Sequence, residues 1–265
     1  MAIKDIFDLS GRVAVITGGG SGLGRAFCEA MAKHGADVTC VGRTEQKLKD
    51  TVKLISRFKH RAIAIKADIS KPGEVEYMVN ETVAKLGAID ILFNNAGVVG
   101  PQTRIGETSI EDWDRIMATD LRGVFLCMRA VLTIMLKQKS GSIINISSTF
   151  AFGGADPEMA SAAYGVAKAG VNNLTKCAAV EYAKDGIRVN CIAPGMHRTG
   201  VENQLGFSAA ELEQRVQKLV TRNVPMGRPA QPRELEGLAV FLASDASSFV
   251  TGQVFVQDGG QLAKI

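Results

Sequence analysis

The chain has 265 residues, 46% of them hydrophobic, and its formal net charge is +4 at pH 7. This length and apolar content suffice for one large domain, so we expect residues 1–265 to form a single domain. The charges are spread along the chain rather than clustered, which argues against nucleic acid as a partner. No apolar run approaches the length of a membrane span, so no membrane partner is expected.

The five cysteines indicate a reduced interior rather than metal or redox chemistry. Cys28, Cys40, Cys127, Cys177 and Cys191 are odd in number and lack Cys-x-x-Cys spacing. Each lies within a predicted helix or strand among apolar neighbours. We therefore interpret all five as reduced core residues of a cytoplasmic protein, and no metal site is predicted.

Strand and helix patterns alternate along the chain. The strand patterns lie near residues 12–17, 36–41, 61–67, 89–93, 142–147, 187–192 and 253–257. Helical patterns occupy most of the segments between them. This alternation predicts an α/β fold of the Rossmann type, a single doubly wound parallel sheet flanked by helices. Such sheets bind ligands beyond the carboxyl ends of their strands, where the strand order reverses.

A glycine-rich segment follows the first predicted strand and precedes a helical pattern that begins at Arg25. A glycine turn in this position lets the backbone approach a pyrophosphate, and the helix N-terminus points its free N–H groups at the anion. The segment therefore predicts the phosphate-binding loop of a dinucleotide site. Its expected contact residues are Gly18, Ser21, Gly22, Leu23 and Gly24.

Tyr164 and Lys168 are four residues apart in a helical pattern, so their side chains share one face. An unperturbed phenol titrates near pH ~10, which is too high for an efficient acid or base at neutral pH, and a nearby cation lowers that pKa. The spacing by itself is weak evidence, because Tyr-x-x-x-Lys often arises by chance on a solvated helix. Other motifs in the chain, however, favour a catalytic role for the pair.

Five motifs in a fixed order resemble the short-chain dehydrogenase/reductase family. They are Thr17-Gly18-x-x-x-Gly22-x-Gly24, Asn94-Asn95-Ala96-Gly97, Ser148, Tyr164-x-x-x-Lys168 and Pro194-Gly195. The resemblance extends from about Leu9 to Gly260, and the ending Asp258-Gly259-Gly260 also matches. It implies an enzyme with an NAD(P)-binding, Rossmann-type catalytic domain. The implied reaction transfers a hydride between the cofactor and a small-molecule substrate, a secondary alcohol or its ketone.

The resemblance also implies the cofactor contacts. Gly42 occupies the position at which relatives carry the acidic residue that holds the ribose of NAD, and Arg43 follows with a guanidinium suited to the 2′-phosphate of NADP. NADP(H) is therefore favoured over NAD(H). The alternative is that Arg43 stacks on adenine or is solvated, and the glycine loop lacks the second basic residue of many NADP-dependent relatives. The other implied contacts are Asp68, Ile69, Asn95, Ala96, Gly97, Tyr164, Lys168, Pro194, Gly195 and Thr199.

In the reacting centre, the resemblance makes Tyr164 the acid/base and Lys168 the cation that lowers its pKa and binds the nicotinamide ribose. Ser148 would hydrogen-bond the substrate oxygen as charge develops. Its neighbour Ser147 is easily confused with it, but Ser148 matches the second serine of the family pattern. The segment 149–163 is longer than usual in the family and is expected to shape the substrate pocket.

Asp120 is a departure from the family pattern. Relatives carry an asparagine at this point, where it supports a water chain to the lysine, so Asp120 is counted with the catalytic residues. An ionised aspartate accepts hydrogen bonds and cannot donate them. Whether the change speeds or slows catalysis stays open at this stage. His197 lies near the expected substrate entrance, and we interpret it as a solvated loop histidine rather than a substrate contact.

Two helical patterns are apolar on more than one face. One runs from Ser109 to about Lys137, with Ser109 as its cap and Asp112 at the third position, and the other carries Tyr164. A helix of this kind needs a second partner besides the sheet. In relatives these helices pair across a two-fold axis, and an interface near the C-terminal strand completes a tetramer. A homotetramer is therefore predicted.

Other interpretations keep the same fold. The substrate class is alternatively that of a gluconate 5-dehydrogenase or of a 3-oxoacyl-carrier reductase. A non-catalytic, NAD(P)-binding sensor is a further alternative, because fold does not fix function. The presence of Ser148, Tyr164 and Lys168 together argues against a sensor, which has no need of all three.

Overall fold

The computed structural model of the protein describes residues 5–154, 161–200 and 208–264, and a parallel sheet lies at its centre. Its strands are β1 (Val13–Thr17), β2 (Asp37–Gly42), β3 (Ala62–Lys66), β4 (Ile91–Asn94), β5 (Gly141–Ile146), β6 (Ile187–Pro194) and β7 (Val254–Gln257). Each lies within two residues of a predicted strand at either end. They are arranged in the order β3-β2-β1-β4-β5-β6-β7, so the predicted fold class is confirmed.

Helices occupy the connections between the strands. They are α1 (Gly22–Lys33), α2 (Glu45–Ile55), α3 (Pro72–Leu86), α4 (Ile110–Met117), α5 (Gly123–Gln138), α6 (Ala162–Tyr182), α7 (Ala209–Asn223) and α8 (Glu236–Ala243). Short 3₁₀ turns span Ser56–Phe58, Ile105–Glu107, Thr149–Ala151, Ala183–Asp185, Pro232–Leu235, Asp245–Ser247 and Gln261–Ala263. In the described part of the chain, no helix has the length and apolar character that crossing a membrane requires.

A π-helical turn, Ala118–Arg122, joins α4 to α5. The predicted helical stretch from Ser109 to about Lys137 is therefore helical throughout, with a π turn in its middle that the sequence pattern did not indicate. The predicted cap is confirmed, because the Ser109 hydroxyl accepts a hydrogen bond from the Asp112 N–H at 3.1 Å. The π turn carries Asp120, whose side chain is buried in the interior.

Two apolar cores, one on each face of the sheet, hold the helices against it. Val15 of β1 faces the core covered by α3, α5 and α6, whereas Ala14 and Ile16 face the core covered by α1, α2 and α8. Alternate residues point to opposite faces, and both faces are buried. This double burial explains why the first strand is a continuous run of apolar residues.

The cysteines are free thiols, and four of them lie in the core. Burial raises the pKa of the Cys127 and Cys191 thiols to about 12, which keeps both protonated and unreactive. Cys177 is exposed and lines a groove on the outer side of α6, so the prediction that all five are core residues is wrong for this one. Across the described residues, no group of His, Cys, Asp and Glu is arranged to hold a metal ion.

The strand order reverses beside β1, which lies between β2 and β4. The loops that follow β1 and β4 leave the same edge of the sheet, and a crevice forms where their connections diverge. The predicted site residues come directly after these strands and their neighbours. The fold therefore brings the motifs to one edge of the sheet.

Candidate active site

A cleft of about 400 Å³ opens at the carboxyl edge of the sheet, a size typical of small-ligand sites. Every site residue predicted from the sequence lines it, with the exception of Gly24. The predicted residues that line it are Gly18, Ser21, Gly22, Leu23, Arg43, Asp68, Ile69, Asn95, Ala96, Gly97, Asp120, Ser148, Tyr164, Lys168, Pro194, Gly195 and Thr199. Motifs far apart in the chain thus meet around one space.

The loop after β1 requires glycine at its first position. Gly18 has a φ of +70°, which L side chains rarely adopt, and a Cβ there would lie 2.7 Å from Asn95 Nδ2. Ser21 precedes α1 without capping it through its side chain, so the first N–H groups of the helix are available to an anion. Gly24 lies under the loop, because a Cβ there would come 2.1 Å from the Gly18 carbonyl oxygen.

Thr17, at the end of β1, holds the neighbouring loop in place. Its hydroxyl donates to the Phe93 carbonyl at 3.1 Å and accepts from the Asn95 and Ala96 N–H groups, each at 3.0 Å. The Asn95 amide donates to the Thr17 carbonyl at 2.9 Å. The Asn95 side chain therefore links the backbones of the two loops, and Thr17, the first residue of the glycine motif, completes this link.

A cationic surface lies at the other end of the glycine loop, after β2. Arg43 and Lys47 line the cleft together with Thr44, and so does the Asp68 carboxylate, on which the Arg43 charge acts. A Cβ on Gly20 would lie 3.0 Å from Lys47 Cβ, so Lys47 packs beside the loop. Lys47 was not predicted from the sequence, because its place in the cleft depends on how α2 lies against the glycine loop.

The phenol of Tyr164 faces Ser148 at the end of β5. The Ser148 hydroxyl hydrogen-bonds the phenol, whereas the Ser147 hydroxyl donates to the Lys168 carbonyl at 3.0 Å. The Phe150 ring lies edge-on to the Tyr164 ring, with centroids 5.8 Å apart. Ser148, rather than Ser147, is therefore the serine in contact with the tyrosine.

The net pKa of Tyr164 lies above that of an ordinary phenol. Burial raises it most, Lys168 lowers it, Asp120 raises it, and the hydrogen bond from Ser148 lowers it. Lys168 lowers the pKa of Tyr164 as expected, but burial raises it by more. A tyrosine of this kind is held in its protonated form.

Lys168 is buried, with 3% of its surface exposed, and its ammonium has three neighbours in the site. Nζ donates to the Ile146 carbonyl at 3.1 Å, lies 3.2 Å from Asp120 Oδ2, and lies 5.4 Å from the centre of the Tyr164 ring. Burial lowers the pKa of Lys168, but Asp120 and Tyr164 raise it above its usual value. The ammonium therefore stays charged.

His197 lines the cleft in the loop after β6. Its Nδ1 lies 3.1 Å from the Gly195 carbonyl oxygen, and burial lowers the pKa of the ring. Our interpretation of this residue as a solvated loop histidine is therefore wrong, since the ring is half-buried and hydrogen-bonded. Of the segment 149–163, residues 155–160 lie outside the described part, so its expected effect on the substrate pocket remains a prediction.

Comparison with known protein sequences finds relatives over almost the whole chain. A family profile described as enoyl-(acyl carrier protein) reductase matches residues 18–261. A cis-4-hydroxycyclohexanecarboxylate dehydrogenase of Sinomonas cyclohexanicum is 38% identical, covering 95% of this chain and 97% of the relative. A 2-dehydro-3-deoxy-D-gluconate 5-dehydrogenase of Dickeya dadantii is 36% identical and covers 99% of this chain and 100% of the relative.

Solved structures share the same fold. A short-chain type dehydrogenase/reductase from Mycobacterium marinum has a TM-score of 0.91 and 35% identity, covering 98% of this chain and 99% of the other. A gluconate 5-dehydrogenase from Burkholderia cenocepacia, solved with NADP and tartrate, has a TM-score of 0.89 and 34% identity, covering 98% and 99%. The similarity therefore extends over almost the whole chain.

Replacing Gly18 with alanine is expected to weaken NADPH binding at least about tenfold, because a side chain at a left-handed φ costs about 1–2 kcal/mol and this one also meets Asn95. A fluorescence titration of the cofactor measures the dissociation constant. Gly73→Ala is the matched control, since a Cβ on Gly73 meets nothing within 4 Å, and it should bind normally. Unchanged affinity in Gly18→Ala would contradict the assignment of the phosphate loop.

Proposed function

The chain belongs to the short-chain dehydrogenase/reductase family and is an NAD(P)-dependent oxidoreductase of secondary alcohols and ketones, and we propose that Tyr164 is the acid/base of its reaction. One observation carries the proposal: the Tyr164 phenol lies in the cleft in contact with the Ser148 hydroxyl and close to the Lys168 ammonium. In this proposal the whole chain, residues 1–265, is one catalytic domain.

The shape of the cleft supports a dinucleotide. The close approach at Gly18 and the uncapped N-terminus of α1 suit a pyrophosphate. The residues proposed to hold the adenosine half are Arg43, Asp68, Ile69, Asn95, Ala96 and Gly97. Those proposed to hold the nicotinamide half are Tyr164, Lys168, Pro194, Gly195 and Thr199. When bound, the nicotinamide supplies or accepts the hydride.

The protein's part in the reaction is to move one proton. In ketone reduction the carbonyl carbon gains a hydride, and its oxygen takes the proton from the Tyr164 hydroxyl. The Ser148 hydroxyl donates a hydrogen bond to the same oxygen as negative charge develops on it. The Lys168 ammonium stabilises the phenolate that remains. Alcohol oxidation runs through the same groups in reverse, with the Tyr164 phenolate as the base.

A preference for NADP(H) over NAD(H) is supported by the cations after β2. Gly42 offers no carboxylate to the adenosine ribose, and Arg43 and Lys47 present two positive charges to the cleft. Thr44 precedes α2 without a side-chain cap, so its hydroxyl and the first N–H groups of the helix can also serve a phosphate. Lys47 supplies the second cation that the glycine loop lacks.

The proposed substrate class is inferred from the relatives and not from the geometry of the cleft. Two of the proteins compared above are dehydrogenases of gluconate or a gluconate derivative, which supports a sugar acid as the substrate. Reduction of a 3-oxoacyl carrier is the alternative. A panel assay with a keto-sugar acid, a 3-oxoacyl thioester and a cyclic ketone compares these two classes with the substrate type of the cyclohexanecarboxylate relative. The quantity to compare is kcat/KM.

The proposed assembly is a homotetramer. A groove of about 710 Å³ lies away from the cleft, between the outer faces of α5 and α6, and it is lined mainly by apolar side chains such as Leu121, Phe125 and Leu174. Phe125 is 47% exposed. Exposed Val256 on β7 and Leu262 beyond it mark a second apolar surface near the C-terminal strand. Two such surfaces suit a closed, symmetric assembly.

The proposed location is the cytoplasm, and the thiols support it. All five cysteines are free, and the Sγ atoms of Cys28 and Cys40 lie 3.4 Å apart in the core without a bond between them. Protein thiols are kept reduced in the cytosol, whereas oxidising compartments favour disulfide bonds. A reducing compartment therefore suits this interior.

Tyr164→Phe is expected to lower kcat for ketone reduction by about 10²–10⁴-fold, because it removes the proton donor, while NADPH affinity stays within a few fold. Steady-state assays and a cofactor titration measure the two effects. Tyr77→Phe, at an exposed site on α3, is the control and should behave as the wild type. A near wild-type kcat in Tyr164→Phe would refute the assignment.

Arg43→Ala is expected to weaken NADPH binding by about 1–3 kcal/mol, the loss of a charge-assisted contact, and to leave NADH binding almost unchanged. Lys47→Ala should act in the same direction. Lys49→Ala is the matched control, because Lys49 lies on the same helix but pairs with Glu45 and does not line the cleft. A wild-type protein with clearly higher kcat/KM for NADH would contradict the preference.

Phe125→Glu is expected to reduce the assembly from a tetramer to smaller species, because it introduces a charge into the apolar groove of α5 and α6. Light scattering at micromolar concentration gives the mass of each species. Tyr77→Glu, at a site of similar exposure on α3, should leave the mass unchanged. A monomeric wild-type protein would overturn the proposed assembly.

A further inference from the structure

Asp120 makes direct contacts with two parts of the site while being completely buried. Oδ1 accepts a hydrogen bond from the Val98 N–H at 2.8 Å, and Oδ2 lies 3.2 Å from Lys168 Nζ. A Cβ on Gly97 would come 2.8 Å from Oδ2, so the loop after β4 closes over the carboxylate. Its exposed fraction is 0%. The carboxylate and the ammonium therefore form an ion pair that bulk water does not screen.

The two charges of this ion pair have opposite effects on the pKa of Tyr164. The Lys168 ammonium favours the phenolate, whereas the Asp120 carboxylate opposes it. We propose that Asp120 is a positioning residue: its carboxylate pairs directly with the Lys168 ammonium and offsets part of the stabilisation that the ammonium gives to a negative charge on the Tyr164 oxygen. The inference rests on the proposed function only in that Tyr164 is the acid/base.

The charged and titratable groups around the pair do not supply this effect themselves. Cys191, on β6 beside Lys168, is neutral because burial raises the pKa of its thiol to about 12. His197 is neutral at neutral pH because burial lowers its pKa. Arg115, on α4, lies near Asp120 and pairs with Asp112 at the surface. Among the described residues, Asp120 is thus the anion that acts on Tyr164.

The π turn places the Asp120 side chain in the interior of the site. Ala118–Arg122 joins two helices whose apolar faces pack elsewhere, and it directs Asp120 inward to Lys168. Such turns are frequent at functional sites. Burial raises the pKa of Asp120 above its usual value, and the Lys168 ammonium opposes that rise.

The test is a pH titration of the Tyr164 phenol in the protein without cofactor, followed by the near-ultraviolet absorbance of tyrosinate. The chain has three tyrosines, so the signal of each protein is corrected with the same protein carrying Tyr164→Phe. In Asp120→Asn the midpoint of the Tyr164 titration is expected at lower pH than in the wild type. Asp120→Ser, which also lacks the charge, should shift it in the same direction. Glu76→Gln, which removes an exposed carboxylate on α3, should not move it.

The pH profile of alcohol oxidation supplies a second readout. The rate limb that follows the phenolate should move to lower pH in Asp120→Asn, with about a tenfold change in phenolate fraction for each unit of the shift. A midpoint that is unchanged or higher would mean that Asp120 carries no opposing charge, and would overturn the inference. Because the phenol titration needs no substrate, it decides the inference even if Tyr164→Phe retains activity and the proposed function fails.

Discussion

The buried ammonium of Lys168 fixes the geometry of the reacting end. A buried charge without partners is costly, so the surrounding elements must supply them. β5 provides the Ile146 carbonyl and the π turn provides Asp120. The Ser147 hydroxyl also donates to the backbone carbonyl of Lys168. β5, the π turn and α6 are thereby held together at the Lys168 ammonium, one helical turn from Tyr164.

The two ends of the cleft are built on different physical principles. Backbone geometry shapes the phosphate loop, where Gly18 permits a close approach and Thr17 ties the neighbouring loop to β1. Exposed side chains shape the cationic end, where Arg43 and Lys47 line the cleft. Changes in cofactor preference can therefore arise at the cationic end without disturbing the core that holds the acid/base pair.

Sequence patterns predicted the strands because a strand buried on both faces is apolar throughout, as β1 is. They also predicted most residues of the cleft, since its motifs directly follow strands. The π turn escaped because its flanking segments keep a helical repeat. Lys47 escaped because its importance depends on how α2 lies against the glycine loop. The net pKa of Tyr164 depends on burial by distant segments, which the Tyr-x-x-x-Lys spacing does not report.

The five residues of the π turn also face two different spaces. Thr119 and Asp120 line the cleft, whereas Ala118, Leu121 and Arg122 line the outer groove between α5 and α6. A displacement of the turn that begins at the groove therefore also moves residues of the cleft, and the reverse holds as well. Deleting one residue here would convert the wide turn into an ordinary α-helical one and change which side chains face the cleft and which face the groove. The length of this turn is therefore constrained from both the cleft and the outer groove.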